Sequence, residues 1–200
     1  MSKHIKFNRE EVIDKATNLY WEKGFHGTSM RNLQEVVDLR PGSIYASFGS
    51  KENLFKEALN HYADLSSTQL KKCLQETQSP LEALKIFITN IVVGSQNTAP
   101  SGMCMLVKTI AELTDEHQEL VDLAKQKLAG VEEIFARIIK QAIEQGELDS
   151  SCQPDKIARH LQVQIIGLRT YIRANKDMQI GKEMIDELFS NLALNSAKSA

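Results

Sequence analysis

The stretch from Thr28 to Phe55, TSMRNLQEVVDLRPGSIYASFGSKENLF, constrains the fold more than any other part of the chain. It reads as two short amphipathic helices on either side of a tight turn, with a third helix opening directly after them. Thr28 is an N-cap residue type, and Met30, Leu33, Val36 and Val37 recur on one helical face, which predicts a helix with that face turned inward. The turn falls near Asp38. Pro41 suits the first position of the second helix, where its missing N–H costs nothing, and Ile44 and Phe48 stand at i, i+4 toward the core. Ser43, Tyr45, Ala46 and Ser47 are then left outward, beside Arg40. Small side chains, one tyrosine and the unpaired N–H groups of a helix start suit close approach to a phosphodiester backbone and a major groove. Ser50 caps the next helix, with Lys51 in its first turn. A cation there opposes the helix dipole, so a phosphate partner is the natural reason for it.

Two amphipathic helices joined by a turn occur in many all-α proteins, and composition narrows the choice. A net charge of −2 argues against a protein that coats nucleic acid, so DNA binding must rest on local charge. Lys3, Lys6 and Arg9 supply some. Residues 1 to 62 carry nine Lys/Arg against eight Asp/Glu, whereas residues 63 to 200 carry 15 against 18. Cys73, Cys104 and Cys152 are odd in number and unrelated in spacing, which fits reduced thiols in a cytoplasm better than a disulfide framework. No apolar run reaches the roughly 18 residues of a membrane span, and no hydrophobic signal core opens the chain, so a cytoplasmic protein without a membrane partner is expected.

The order TxxxLxxxxxLxPGSIYxxFxSKExLF, preceded by a helix ending in Gly24-Phe25, resembles the N-terminal domain of the TetR family of bacterial transcriptional regulators. The resemblance is dense from about Arg9 to Phe55 and architectural beyond. Three positions depart from the usual pattern. Asp38 replaces the turn glycine, and is able to adopt a left-handed conformation at some cost. Arg40 stands in place of a small capping residue, and Ala46 in place of a larger polar one. The resemblance implies Thr28, Arg40, Pro41, Gly42, Ser43, Tyr45, Ser47 and Lys51 as the DNA-facing set.

The rest of the chain reads as helix throughout. Asn8 followed by Glu11 opens a helix from about Arg9 to Lys23, stopped by Gly24. Trp21 and Phe25 belong by spacing to the small core of this unit. The helix after Ser50 runs to about Cys73. Ser79-Pro80-Leu81-Glu82 is a capping box with proline at the first position, opening a helix to about Gly94. Ser101 is expected to cap a short helix through Leu113, and Asp115 to open a long one ending at Gly146, with Leu120, Ala124, Leu128, Val131, Phe135, Ile138 and Ala142 on one face. Two more follow, from about Pro154 to Ala174 and from about Gly181 to Leu194. The expected fold is all-α with about nine helices: a helix-turn-helix domain over residues 1–55 and a helical effector-binding and dimerisation domain over 56–200.

No glycine-rich phosphate loop, HExxH, CxxC or GxSxG occurs, and His4, His26, His61, His117 and His160 lack metal-ligand spacing. Neither an enzyme nor a cofactor or metal site is expected. Cys104 stands out: it falls about one turn into the helix expected after Ser101, where the dipole favours a thiolate, with Lys108 four residues on. Its place is similar to a G-C-L-L element of many TetR-like C-terminal domains, some of which sense electrophiles or oxidants. The family resemblance further implies a homodimer on palindromic operator DNA, released by a small-molecule effector. It maps the dimer interface to Leu161, Ile165, Leu168, Ile172, Ile185, Leu188, Phe189 and Leu192, and the effector to middle-helix residues Phe87, Ile91, Met103, Cys104, Leu106 and Val131. The rival reading is a dimeric helical interaction protein whose DNA-reading domain has degenerated.

Overall fold

The computed structural model describes residues 8–96 and 98–197, so Lys3 and Lys6 lie outside the described residues. Among the described residues nine α-helices follow one another: α1 (Arg9–Lys23), α2 (Met30–Val37), α3 (Pro41–Phe48), α4 (Lys51–Glu76), α5 (Pro80–Val92), α6 (Met105–Glu112), α7 (Gln118–Glu144), α8 (Pro154–Asn175) and α9 (Met178–Ala197). Among the described residues there are two further single turns of 3-10 helix and no strand, and no helix is long and apolar enough to cross a membrane.

Local chemistry accounts for most boundaries. The Asn8 carboxamide oxygen accepts from the Glu10 and Glu11 N–H groups at the head of α1, and Ser79 accepts from Glu82 N at the head of α5. Asp38 closes α2 in the left-handed conformation, φ 54° and ψ 43°, as expected of the residue standing in for glycine. Four starts differ from the expectation, those of α2, α6, α7 and α9. Helix α7 begins at Gln118, after a single 3-10 turn at Asp115–His117, and α9 begins at Met178 and not near Gly181. Ser29, not Thr28, caps α2, forming a reciprocal capping box with Asn32; Thr28 is buried and its hydroxyl donates to the Gly24 carbonyl at 2.7 Å. Ser101 lies four residues before α6, where its hydroxyl accepts from Met103 N.

Two compact units emerge. The first takes residues up to Asp64 together with Met105–Lys125; the second takes Leu65–Cys104 together with residues from Gln126 onward. The sequence divides the chain after Phe55, whereas the contacts carry the first unit further along α4 and add α6. The first unit is centred on Tyr20, Phe25, Leu33, Ile44, Phe48, Leu54 and Phe55, with Tyr20 edge-on to Phe55 at 4.7 Å and Phe25 edge-on to Phe55 at 5.1 Å. Val36, expected inward, is 39% exposed, because Leu33 and Val37 already fill the inner face of so short a helix. The second unit packs Leu84, Phe87 and Ile88 of α5 with Phe135 and Ile139 of α7 and the inner faces of α8 and α9.

Candidate nucleic-acid interface

Helix α3 is held by two buried anchors one turn apart, Ile44 and Phe48, and turns its other face outward. Pro41, Gly42, Tyr45 and Ala46 are exposed, Tyr45 at 47%; Ser43 and Ser47 are half-buried. Arg40 occupies the N-cap without a side-chain cap bond, and no acidic partner meets it among the described residues. Pro41 has no N–H and the Ser43 and Ile44 N–H groups return to the Arg40 carbonyl, so the helix start offers the Gly42 N–H beside an exposed guanidinium, a pairing suited to phosphate. At the other end the Gly49 N–H returns to the Tyr45 carbonyl at 2.8 Å, and glycine is required there by φ 78°.

Charged side chains fix this helix against its neighbours. The Arg9 guanidinium donates to the Ser47 carbonyl at 3.0 Å, pairs with Glu57 and lies 4.3 Å from the centre of the Phe48 ring, tying α1, α3 and α4 together. Lys51 donates from Nζ to the Phe25 carbonyl at 2.7 Å and sits 4.2 Å above the Phe25 ring. Burial pulls its ammonium below the usual lysine range, against the attraction of Glu52 and Glu112. Lys51 is thus part of the scaffold as well as a cation near α3.

The loop between α1 and α2 is pinned by α6, which motif reading does not detect. The Glu112 carboxylate accepts from Phe25 N at 3.1 Å and His26 N at 2.7 Å, while Lys108 donates to the Trp21 and Glu22 carbonyls at 2.7 and 3.0 Å. One helix thereby satisfies carbonyls at the end of α1 and amides just beyond it. Gly24 is obligatory here: its φ is 78°, and a β-carbon would strike the Glu112 carboxylate.

Thr28 faces inward, so its hydroxyl is withdrawn from any DNA-facing surface. Leu106 is buried in the first unit, whereas Phe87, Ile91, Met103, Cys104 and Val131 belong to the second. Phe87 lies in that unit's core, its ring 6.2 Å from Phe135, and Ile91 and Val131 pack on the same core. Leu161, Ile165, Leu168, Ile172, Ile185 and Phe189 are buried in the core of their own chain, with Leu188 and Leu192 packed against it. These stripes were the ones expected to form the dimer interface; the outward apolar residues of α8 and α9 are instead Val163 at 60%, Tyr171 at 42%, Ile180 and Met184. Cys104 immediately precedes α6 rather than lying one turn inside it, and the Lys108 ammonium is engaged by the α1 carbonyls. No cysteine is in a disulfide, and no group of metal-ligating side chains occurs among the described residues.

Residues 12–58 match the model for bacterial regulatory proteins of the tetR family, and residues 80–188 match that for the tetracyclin repressor-like C-terminal domain. The chain is 25% identical over 175 residues to the HTH-type transcriptional repressor ComR of Escherichia coli, covering 86% of this chain and 83% of ComR. It is 22% identical over 193 residues to the regulator YezE of Bacillus subtilis, covering 96% and 100%. Among solved structures it is similar to a cysteine-substituted variant of the TetR family regulator CifR complexed with 26-base-pair operator DNA, at a TM-score of 0.85 and 22% identity over 94% of this chain and 98% of that one. It also resembles the reduced form of E. coli NemR, with a TM-score of 0.75 and 19% identity over 90% and 94%. With both halves of the chain matched and α3 presented as an outward-facing helix, the protein belongs to the TetR family of DNA-binding bacterial transcriptional regulators.

Proposed function

We propose that this regulator is a repressor that binds a palindromic operator as a homodimer and is released by a small-molecule effector held in its second unit. The observation that carries the DNA-binding part is α3: two buried anchors hold a helix whose exposed residues are Pro41, Gly42, Tyr45 and Ala46, headed by an Arg40 without an acidic partner. Tyr45 reads base edges or a thymine methyl, Arg40 and Lys51 hold phosphates, and Gly42 and Ser43 let the backbone approach. Each protomer supplies one reading helix, so half-sites lie about one helical turn apart, roughly 34–36 Å. The names of ComR, a repressor, and of the operator-bound CifR variant support the reading. The outward apolar residues of α8 and α9 support self-association through those helices, since the inner stripes are already used by the core. No catalytic role is assigned.

Selection of genomic fragments in vitro, followed by footprinting, tests this. A palindromic fragment should be enriched over bulk DNA at moderate salt. Tyr45→Ala should weaken operator binding by about 1–3 kcal/mol and relax sequence preference, whereas Arg40→Ala should weaken all sequences alike and flatten the salt dependence by about one unit of slope. If no palindrome is enriched, the reading fails.

A further inference from the structure

Arg169, on α8, is 4% exposed, and its Nε donates to the Gly102 carbonyl at 2.7 Å. No carboxylate meets it: the ion pairs joining different helices of the second unit, Lys85 with Asp186 and Arg159 with Glu132, leave it out, and no other partner exists among the described residues. No fully enclosed side-chain nitrogen of the described residues lacks a partner, so the two Nη nitrogens each keep an opening to solvent. The forked end of a buried guanidinium is thus unpaired and not fully enclosed. One turn on, Arg173 donates from Nη1 to the Ser101 hydroxyl at 3.2 Å, and it too has no acidic partner among the described residues. Two like charges at i, i+4 converge on one loop, an arrangement that repels itself while no anion lies between them.

Holding the loop does not require this charge. Gln162, on the same helix, holds the Leu128 carbonyl at 2.7 Å with a neutral amide, and Gln96 does the same for Val92 at 3.0 Å. A glutamine at 169 would hold Gly102 without burying a cation. What only arginine adds is a planar pair of N–H donors matched to two oxygens of an anion. Ile165, Leu168 and Ile172 flank Arg169 on the inner face of α8 and are packed in the second unit's core, so the guanidinium has apolar surroundings.

We propose that Arg169 and Arg173, over the Ser101–Gly102 loop, form the anion-recognising end of a ligand site that takes a small organic carboxylate. This deepens the ligand-responsive reading above and rests on it. The full-length protein is melted in chloride buffer alone and with millimolar benzoate, propanoate, their neutral amides, or inorganic phosphate. Benzoate or propanoate should raise the melting temperature by several degrees, the amides and phosphate should not, and Arg169→Gln should abolish the rise while melting no lower than wild type in buffer alone. Arg173→Gln should weaken the apparent affinity about tenfold, the share of one charge-assisted contact. The proposal is overturned if neither carboxylate shifts the melt, if the amides or phosphate shift it as much, or if Arg169→Gln still responds. An Arg169→Gln protein that melts well below wild type also overturns it, by making the guanidinium a structural strut. Operator binding of the same preparations is read separately. Carboxylate stabilisation without operator binding leaves the site standing and removes the regulator reading; operator binding without carboxylate stabilisation does the reverse.

Discussion

In the first unit, Arg9, Lys51 and Lys108 donate to backbone carbonyls and Glu112 accepts from backbone amides that helix ends and turns leave over; in the second, Arg169 is buried against one carbonyl with no acid to meet it. The difference follows from element length. Helices α2 and α3 are eight residues each, too short to persist alone, and every helix end exposes unsatisfied N–H or C=O groups. A unit with many ends and a small apolar centre gains from charged side chains that satisfy several of those groups at once. The second unit is built on long helices, with 22 residues in α8, and its apolar faces supply the cohesion. Charge in the first unit is therefore explained by the fold, and the same explanation does not reach Arg169.

The largest effect falls on the second unit's core. Leu168→Asp places a carboxylate in the second unit's core and should destabilise it by about 4 kcal/mol or more, read as loss of helical circular dichroism and of the cooperative transition. Val163→Asp, on the outward side of the same helix, should leave the fold intact and yield monomers in sedimentation that no longer protect a full palindrome. Should Val163→Asp remain dimeric while Leu168→Asp gives folded monomers, the assignment of inner and outer faces is reversed.

Next in size is Gly24→Ala. The strained φ together with the approach of Glu112 should cost about 2–3 kcal/mol in urea unfolding. Glu112→Ala leaves the Phe25 and His26 amides without their acceptor and should cost about 1–3 kcal/mol, placing it near the glycine variant. If Glu112→Ala is as stable as wild type, the pinning by α6 is a contact without energetic weight.

Lys51 sharpens the comparison, because it is assigned to both fold and DNA. Lys51→Met should cost about 1 kcal/mol of stability and also lower the salt slope of operator binding by about one unit. A loss of stability at unchanged slope assigns Lys51 to the scaffold alone. The smallest effect concerns the thiols. Burial pushes the Cys73 thiol up and hides it, so Cys73 should react with a maleimide several-fold more slowly at neutral pH than the half-buried Cys104 and Cys152, as read by mass spectrometry. If Cys104 proves as slow as Cys73, a covalent effector at Cys104 is ruled out.

The sequence by itself determined the features whose partners lie within one helical turn. Asn8, Ser79 and Pro41 mark helix starts, Asp38 marks a left-handed stop, and Ile44 with Phe48 anchors α3, because caps, fixed proline φ and i, i+4 spacing are local properties. Even there, choosing between Thr28 and Ser29 as the cap needed the fold, since the Thr28 hydroxyl is claimed by the Gly24 carbonyl within a buried loop. Only the tertiary structure decided which apolar stripe of α8 faces its own core, that Glu112 and Lys108 serve a loop 86 or 87 residues away, and that Arg169 is buried 67 residues from the carbonyl it holds. Periodicity reports that a face is apolar without naming what covers it, and a charged residue in a helix reads as solvated until distant chain is folded over it.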